Sequence, residues 1–550
     1  MVVAPFSPCS EELFVAATFP VSSNDESVDQ QIARHYDERP YASESFSYSS
    51  PVHIQAAAHL YGVSAPAPQR ARVLEVGCAA GGNILPFALA YPDAEVVGVD
   101  LSSVQIETGR RAVARSGVKN MTLHAMSLTD IGPEFGKFDY IIAHGLFSWV
   151  PPKVRDALMM LCHTNLSDGG VAYISYNTYP GWKAGDILRD AITLHSHGAN
   201  SEKERVESAR AVINLFKDGM ASSNRMRGAL EGVIASVDRL PDYYLEHEYL
   251  ESFNSPCYFV EFADLAMRHG LDYVGDAHPS SEIAANFGRN VQLNLSLVAI
   301  GQSKLMRQQY LDFLIGQNFR KSLLVKAGTQ SSILVQPDAG RGKDLRVAAL
   351  FKPMDPPTDA PERPGARWMR DTSGHPLCES DTTMLRVIDV LGQVWPRSVS
   401  VSELSERIDV SEEDAAHAWR RLIEWGRAFV AMGATPYDIE VTSAPRLIPG
   451  IMELLDGDEE SQAEQIALSN FWHSTVRWRP NAPQRWVMRH MDGERSEATL
   501  SRLLRDAWHS GKVMGPDERS LLGQRNLDML AQRTVRALRE ALRDHALCLS

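Results

Sequence analysis

Val73-Leu-Glu-Val-Gly-Cys-Ala-Ala-Gly-Gly-Asn83 is the stretch on which the reading of the whole chain turns. Val73, Leu74 and Val76 form a short apolar run that reads as a buried strand. Gly77, Gly81 and Gly82 let the backbone turn tightly, and the spacing from Asn83 to Tyr91 is helical. A strand that breaks into a glycine turn and then a helix is expected to offer bare backbone N–H groups to a ligand. The next apolar run, Glu95-Val-Val-Gly-Val99, ends at Asp100, whose carboxylate can accept two hydrogen bonds from ribose hydroxyls.

From residue 73 to 176, strand and helix alternate. Strands are predicted near 73–77, 95–99, 121–124, 138–143 and 171–175, and helices near 83–91, 103–116 and 152–164. That alternation specifies an α/β fold, a doubly wound Rossmann-like parallel sheet whose ligands lie at the carboxyl ends of its strands. Those ends are Glu75–Gly82, Asp100-Leu101, Ala125–Leu128, His144–Trp149 and Tyr176–Trp182.

Two cofactor classes fit such a turn. As Gly77-x-Ala79-x-x-Gly82 it nearly matches the dinucleotide fingerprint, with an acid roughly 20 residues on. As Glu75-x-Gly77-x-Ala79-x-Gly81 it resembles the first motif of class I S-adenosylmethionine-dependent methyltransferases, although Ala79 replaces the usual central glycine. Glu75 favours the second, because a pyrophosphate is repelled by a carboxylate beside it whereas a sulfonium and an ammonium are attracted.

At 550 residues the chain has room for about three or four domains. Its 44% hydrophobic and 23% charged residues are those of an ordinary globular protein. A net charge of −14 disfavours nucleic acid and acidic membranes and welcomes a basic target such as a lysine-rich protein surface. The six cysteines are scattered without a Cys-x-x-Cys pair, so they read as reduced thiols, and no zinc or other metal is expected. No basic leader precedes an apolar core, and no stretch reaches the roughly 18 apolar residues of a membrane span. The chain therefore reads as cytoplasmic.

The resemblance extends well beyond the first motif. Tyr36-Asp-Glu-x-Pro-Tyr41, Leu74-Glu-Val-Gly-Cys-Ala79, Gly98-Val-Asp-Leu-Ser102, Phe138-Asp-Tyr-Ile-Ile-x-His-Gly145, Phe147-Ser-Trp-Val-Pro151 and Ser175-Tyr-Asn-Thr-Tyr-Pro-Gly-Trp182 are similar to bacterial protein-lysine methyltransferases related to the rickettsial enzymes that modify outer-membrane proteins. Tyr243-Tyr-Leu-x-His-Glu-Tyr-Leu250 and Pro256-x-Tyr-Phe-x-x-Glu-Phe262 resemble that family's methyltransferase regulatory segment. The resemblance implies S-adenosyl-L-methionine as cofactor and a protein presenting lysines as acceptor. A small-molecule or peptide natural-product methyltransferase and a non-catalytic S-adenosylmethionine-binding module are the alternatives. Neither Asn-Pro-Pro-Tyr nor Asp-Pro-Pro-Tyr, the signature for methylating base amino groups, is present.

The domains expected are an N-terminal arm over 1–30, the methyltransferase domain over 31–195 and a helical regulatory domain over 196–330. A Pro-rich linker over 331–380, a winged helix over 381–440 and a helical C-terminal domain over 441–550 follow. In the winged helix, Glu412, Glu413, Asp414 and Glu424 dilute Arg420 and Arg421, which favours a protein contact over DNA.

Cofactor contacts are expected from Glu75, Gly77, Cys78, Ala79, Gly81 and Asn83, from Asp100 and Leu101, and from Ser127 and Leu128. The adenine amino group needs Ser127, Asp130 or a backbone carbonyl. Tyr36 and Tyr41 fit two roles, closing over the cofactor or packing the arm onto the sheet. On the acceptor side the candidate catalytic residues are Tyr179, His144, Trp149 and Tyr176. Aromatic rings there would desolvate a lysine amine, and Tyr179 would orient it with its hydroxyl. Trp149 equally fits packing on the following helix, and His144 fits either a general base or a strand end bonded to backbone. The His247-Glu248 pair fits hydrogen bonds that dock the regulatory segment on the sheet better than a metal or acid–base role, and Phe319-Arg320 likewise reads as structural.

Overall fold

The computed structural model describes residues 37, 43–199, 201–239, 242–251, 253–330, 333–358, 360, 364–438, 444–457, 465–517, 519, 521–522 and 524–549. The arm expected over 1–30, together with Tyr36 and Tyr41, lies outside the described residues.

The alternating pattern folds as its spacing demands. Strands β1 (Arg72–Val76), β2 (Glu95–Asp100), β3 (Met121–Ala125), β4 (Phe138–Ala143) and β5 (Leu166–Tyr179) run parallel. Helices α1 (Pro51–Leu60), α2 (Leu85–Ala90), α3 (Ser103–Ser116) and α4 (Pro152–Asn165) flank them. The chain winds from β1 through β2 to β3, then crosses back to β4 and β5, so the order reverses between β1 and β4. A crevice opens at such a reversal, outside the strands' carboxyl ends.

Two findings depart from the sequence pattern. The sheet is mixed and eight-stranded, because the regulatory segment is more than helical. After α5 (Lys183–Ser196), α6 (Glu202–Gly219), α7 (Arg227–Val237) and α8 (Asp242–Tyr249), it supplies β6 (Cys257–Tyr258), α9 (Phe259–Arg268) and β7 (Leu271–Asp276). It then adds α10 (Arg289–Val298), α11 (Lys304–Ile315) and β8 (Phe319–Lys326), with β8 antiparallel between β5 and β7. The second departure concerns β5, which does not stop near residue 175. Pairing of Tyr176 with Arg320, Asn177 with Phe319, and Thr178 with Cys257 extends it to Tyr179.

Each sheet face buries its own core. On one side Ile54 and Ala58 of α1, Tyr61 just past its end and Phe87 of α2 cover Val73, Tyr140 and Tyr173. On the other, Leu158 and Cys162 of α4 and Phe259 and Phe262 of α9 cover Leu74, Ile141 and Tyr176. Arg320 is buried at this second layer, with a two-pronged bond to Asp312 of α11 (2.8 and 2.6 Å) and Glu282 3.5 Å away. Removing one partner of such a buried pair costs about 3–5 kcal/mol, so Arg320 anchors the added strands, in line with its sequence reading.

Beyond the sheet, three helices, Thr382–Val394, Val401–Ile408 and Glu412–Trp425, precede strand Phe429–Ala431. That strand pairs antiparallel with Arg346–Ala348. The pairing corrects the reading of 331–380 as linker alone: Leu345, Val347, Ala349 and Phe351 are buried among the three helices and against Ala56 and Leu60 of α1. The last unit is likewise not purely helical, since it carries the hairpin Ile466–Ser469 and Thr475–Trp478. Among the described residues no helix is long and apolar enough to cross a membrane.

Candidate functional site

Glu75 is the polar residue within the buried run Val73–Val76 of β1, flanked by Gly98 and Ile142 on the neighbouring strands. Past it, Gly77, Ala79 and Gly81 take φ values of +71°, +50° and +76°. The turn closes back on the sheet. Gly77 and Cys78 donate their N–H groups to Val99 (2.8 and 3.2 Å), Gly81 donates to Cys78 (2.8 Å), and Ala79 donates to the Asp100 carboxylate (2.8 Å). Gly82 donates to Ser43 Oγ at 2.7 Å, and a Cβ there would lie 2.6 Å from the Ser43 carbonyl oxygen. Five amides of this turn, those of Gly77, Cys78, Ala79, Gly81 and Gly82, are therefore spent within the protein. A pyrophosphate needs such amides free, so the geometry disfavours a dinucleotide.

The turn forms one wall of a cavity of about 250 Å³ at the reversal between β1 and β4. Glu44, Glu75, Asp100 and Glu248 line it, and no lysine or arginine does among the described residues. An acidic wall of this kind suits a positively charged ligand, although Glu44 is already paired with Arg477 from outside the wall. Glu75 carries this furthest: it is 2% exposed, and its Oε2 is buried without a hydrogen-bond partner among the described residues. Its Oε1 accepts from Asn83 Nδ2 at 2.6 Å. Burial pushes the Glu75 carboxyl up to about 8, which the Asn83 bond opposes and the nearby Asp100 adds to. An orphaned buried carboxylate oxygen calls for a donor from the ligand, and a cationic donor is the best match.

Of the cofactor residues read from sequence, Glu75, Gly77, Cys78, Ala79, Asn83, Asp100, Leu101, Ser127 and Leu128 all line this cavity. Gly81 does not. Its positive φ shapes the turn, and it packs toward Met121 and Leu123 of β3. Asp100 accepts the Ser102 N–H at 2.9 Å on its second oxygen, so it fixes the turn and the start of α3 while facing the cavity. Burial raises its pKa, and the amides of Ser102 and Ala79 hold it down. Asp130 is not on the wall, whereas Gln105 of α3, buried beside Leu101, is. Asp37 accepts from Ser102 Oγ at 2.5 Å, which places that one residue at the start of α3.

The acceptor side differs from the expected set. His144 and Trp149 line the cavity; Tyr176 and Tyr179 do not. Because β5 runs on to Tyr179, the period of two turns Tyr176 into the core, where it stacks on Phe262 (4.1 Å between centroids) and shares a 3.0 Å hydrogen bond with Ser322. Tyr179 donates its hydroxyl to Asp186 at 2.9 Å, with Lys183 Nζ 3.5 Å from its ring centre. Burial and the Asp186 carboxylate raise its pKa. Asn177, the neighbour facing the other way, is on the wall instead.

His144 stacks on Phe46 (centroids 3.8 Å apart), and its Nδ1 is 3.0 Å from the Tyr173 hydroxyl. Burial, helped by Lys321, pushes its pKa down to about 3. Burial and Lys321 disfavour the protonated ring, so His144 is a poor proton acceptor, which argues against its reading as a general base. The residues read as docking contacts prove to be part of the wall: His247 and Glu248 of α8 and Phe319 of β8 all line the cavity. His247 Nδ1 lies 3.2 Å from Oε1 of Glu251, which follows just past the end of that helix. The adjacency His247-Glu248 was the available signal. Asn177 lies within the Tyr176–Trp182 strand end, where its tyrosine neighbours draw the assignment, and Phe46 leaves no signal.

Comparison with known proteins agrees with this geometry. Residues 73–170 match the family described as a methyltransferase domain, and residues 241–326 match a predicted methyltransferase regulatory domain. The chain is 40% identical over 290 residues to the uncharacterized protein RP789 of Rickettsia prowazekii, covering 52% of each chain. It thus spans about half the length of that relative. RP028 of the same organism is 34% identical over 234 residues, 42% of this chain and 94% of that protein. PKMT2 from Rickettsia typhi in complex with AdoHcy has the same fold, with a TM-score of 0.79 at 22% identity over 93% of this chain and all of that one. With the carboxylate-lined cavity at the reversal of a mixed eight-stranded sheet, these matches make S-adenosylmethionine the cofactor, and the chain belongs to the family of the rickettsial proteins, class I S-adenosylmethionine-dependent methyltransferases with a methyltransferase regulatory domain.

Proposed function

We propose that this methyltransferase acts on lysine ε-amines of a protein substrate. The observation that carries the reading is the make-up of the cavity's β4–β5 end. Trp149, Phe319 and the Phe46–His144 stack supply ring faces there, with the Glu248 carboxylate and no lysine or arginine on the wall. A lysine side chain has a long apolar stem and a cationic head, and rings beside a carboxylate are what that shape needs. The acidic chain as a whole, at −14, favours approach of a basic protein surface.

The bound cofactor supplies an electrophilic methyl on a sulfonium whose thioether is a good leaving group. The chain's own residues have three tasks. The first is to bring the amine within about 3 Å of the methyl, in line with the departing sulfur. The walls of Trp149, Leu146 and Phe319 confine the stem for this. The second is to deprotonate an ammonium whose free pKa is about 10.4. Desolvation by the rings lowers that value, and the Glu248 carboxylate receives the proton, because neutral His144 cannot hold one. The third is to keep the cofactor end closed, which the Gly82–Ser43 and Ala79–Asp100 bonds do.

Incubating the full chain with methyl-labelled cofactor and a lysine-rich acceptor protein, then hydrolysing the protein, tests the proposal. Label recovered as methylated lysine is expected. Label found only in small molecules would move the acceptor to another class, and no transfer to any acceptor would leave a binding module.

A further inference from the structure

The cofactor cradle is completed by a segment nearly four hundred residues away. Asn83 donates Nδ2 to Glu75 at 2.6 Å, and its carbonyl oxygen accepts three bonds. The donors are the Phe46 N–H (2.9 Å), the imidazole Nε2 of His473 (3.2 Å) and, more weakly, Ser49 Oγ (3.1 Å), whose single proton is shared with the Phe46 carbonyl at 2.8 Å. His473 sits at the tip of the hairpin Ile466–Trp478 with φ +59°, a left-handed conformation histidine tolerates better than most residues. It is buried, and burial pushes its pKa down to about 4, so Nε2 reaches Asn83 as a neutral donor. The same hairpin grips the segment before α1. Ser45 N–H donates to Thr475 Oγ1 at 2.9 Å, and Arg477 donates to the Glu44 carboxylate from Nε at 3.0 Å and from Nη2 at 2.6 and 2.7 Å. Ser43, Glu44 and Phe46 of that segment line the cofactor cavity.

We propose that His473 is a positioning residue for the amino-acid end of the cofactor site, acting through Asn83 on Glu75, so that the C-terminal unit sets how tightly the cofactor's ammonium is held. An amide whose carbonyl is pinned by three donors cannot rotate, and its NH₂ stays aimed at Glu75 Oε1. Glu75 Oε2 is then left pointing at a ligand donor. The ribose hydroxyls belong with Asp100 at the end of β2, and the adenine amine with the Ser127-Leu128 end of β3. The donor remaining for Glu75 is the ammonium, and that match is charge-assisted. The His473 imidazole touches no cofactor atom in this arrangement. Its effect is confined to the orientation of Asn83.

Two amide substitutions and two ligands test this in the full chain. His473→Asn keeps a residue suited to the left-handed backbone but falls short of Asn83, whereas His473→Gln can place its NH₂ where Nε2 lies. Affinities for S-adenosylhomocysteine, which has the ammonium, and 5′-methylthioadenosine, which lacks it, are measured by calorimetry alongside melting temperature. His473→Asn is expected to weaken S-adenosylhomocysteine about five- to tenfold and to leave 5′-methylthioadenosine within about twofold, with His473→Gln restoring the loss. Equal weakening of both ligands, or no change in either, overturns the proposal, because a purely structural hairpin would not distinguish the two ends of the ligand. Asn83→Ala repeats the test from the other side of the bond without touching the hairpin. Selective loss of S-adenosylhomocysteine is expected there too, and an equal loss of both ligands again overturns it.

Discussion

The two ends of the cavity are built by opposite means. Most of the cofactor end comes from short local stretches, Glu75 to Asn83, Asp100-Leu101 and Ser127-Leu128, each at or just past the end of a strand of the parallel sheet. Ser43 and, behind Asn83, His473 reach it from elsewhere. The acceptor end is gathered from Phe46, His144–Val154, Asn177, His247-Glu248 and Phe319, which meet only because the regulatory segment returns to the sheet. A local turn carries its own geometry wherever the fold occurs, while a site assembled across the chain can change with the segments that close it. The difference predicts that the first end governs affinity for the cofactor and the second governs turnover.

The largest expected effect breaks the acceptor end alone. Glu248→Gln retains shape and removes the charge that receives the proton, so kcat is expected to fall about 100-fold or more with cofactor affinity unchanged. Single-turnover kinetics beside calorimetry measures both. An unchanged kcat would take proton acceptance away from Glu248. At the opposite end, Asp100→Asn leaves one acceptor where two amides, of Ala79 and Ser102, now bond. Loss of a charged hydrogen bond of about 1.5–3 kcal/mol should weaken S-adenosylhomocysteine about 10- to 100-fold and leave kcat at saturating cofactor close to the original. A fall in kcat with intact affinity would erase the division between the ends.

That division also explains what the sequence could disclose. The glycine turn and Asp100 were legible because strand, turn and helix each have a local signature. The engagement of the turn's amides by Ser43 and Val99 was not, since no pattern within the turn announces a partner elsewhere. Tyr176 was misplaced for a related reason. The alternation near residue 175 shows where an isolated strand would end, but pairing with Arg320 and Phe319 on β8 lengthens it and reverses which neighbour faces the cavity. His473, 390 residues from Asn83, carries no sequence signal toward the cofactor at all.

A smaller effect sharpens the electrostatics of the cofactor end. The Glu75 carboxyl, ordinarily near 4.5, stands at about 8 in the folded protein. A raised pKa means the native state holds a proton that the unfolded chain has released, so stability is fully present below about 4.5 and is lost as pH rises through about 8. In Glu75→Gln that loss is absent, and its melting temperature without ligand should overtake the parent's by a few degrees at pH 9. Binding of the cationic cofactor at pH 7 should also expel close to one proton, read from the dependence of binding enthalpy on buffer ionisation. Glu75→Gln should expel none. A parent protein that releases no proton would mean that Glu75 is already ionised before the cofactor arrives.

The smallest effect concerns Tyr179, which the position of its loop had made the leading catalytic residue. A tyrosine hydroxyl that orients an amine must reach the cavity, and this one is committed to Asp186 at 2.9 Å, on the first turn of α5. Its ring carries Lys183 on one side and meets Tyr258 at 5.4 Å between centroids, so the side chain ties the end of β5 to α5 and β6. Tyr179→Phe keeps the ring and its contact with Lys183 and removes one partly exposed hydrogen bond. That bond is worth about 1 kcal/mol to stability, and nothing in the transfer step depends on it. Turnover should therefore stay within about twofold and cofactor affinity should not change, while the melting temperature drops by a few degrees. Tyr179→Ala removes the ring as well and should lower melting further, with the remaining folded fraction still turning over normally. A tenfold or greater loss of kcat in Tyr179→Phe, at unchanged melting temperature, would bring that hydroxyl back to the reacting amine and require β5 to end, in the substrate complex, where the sequence alone had ended it.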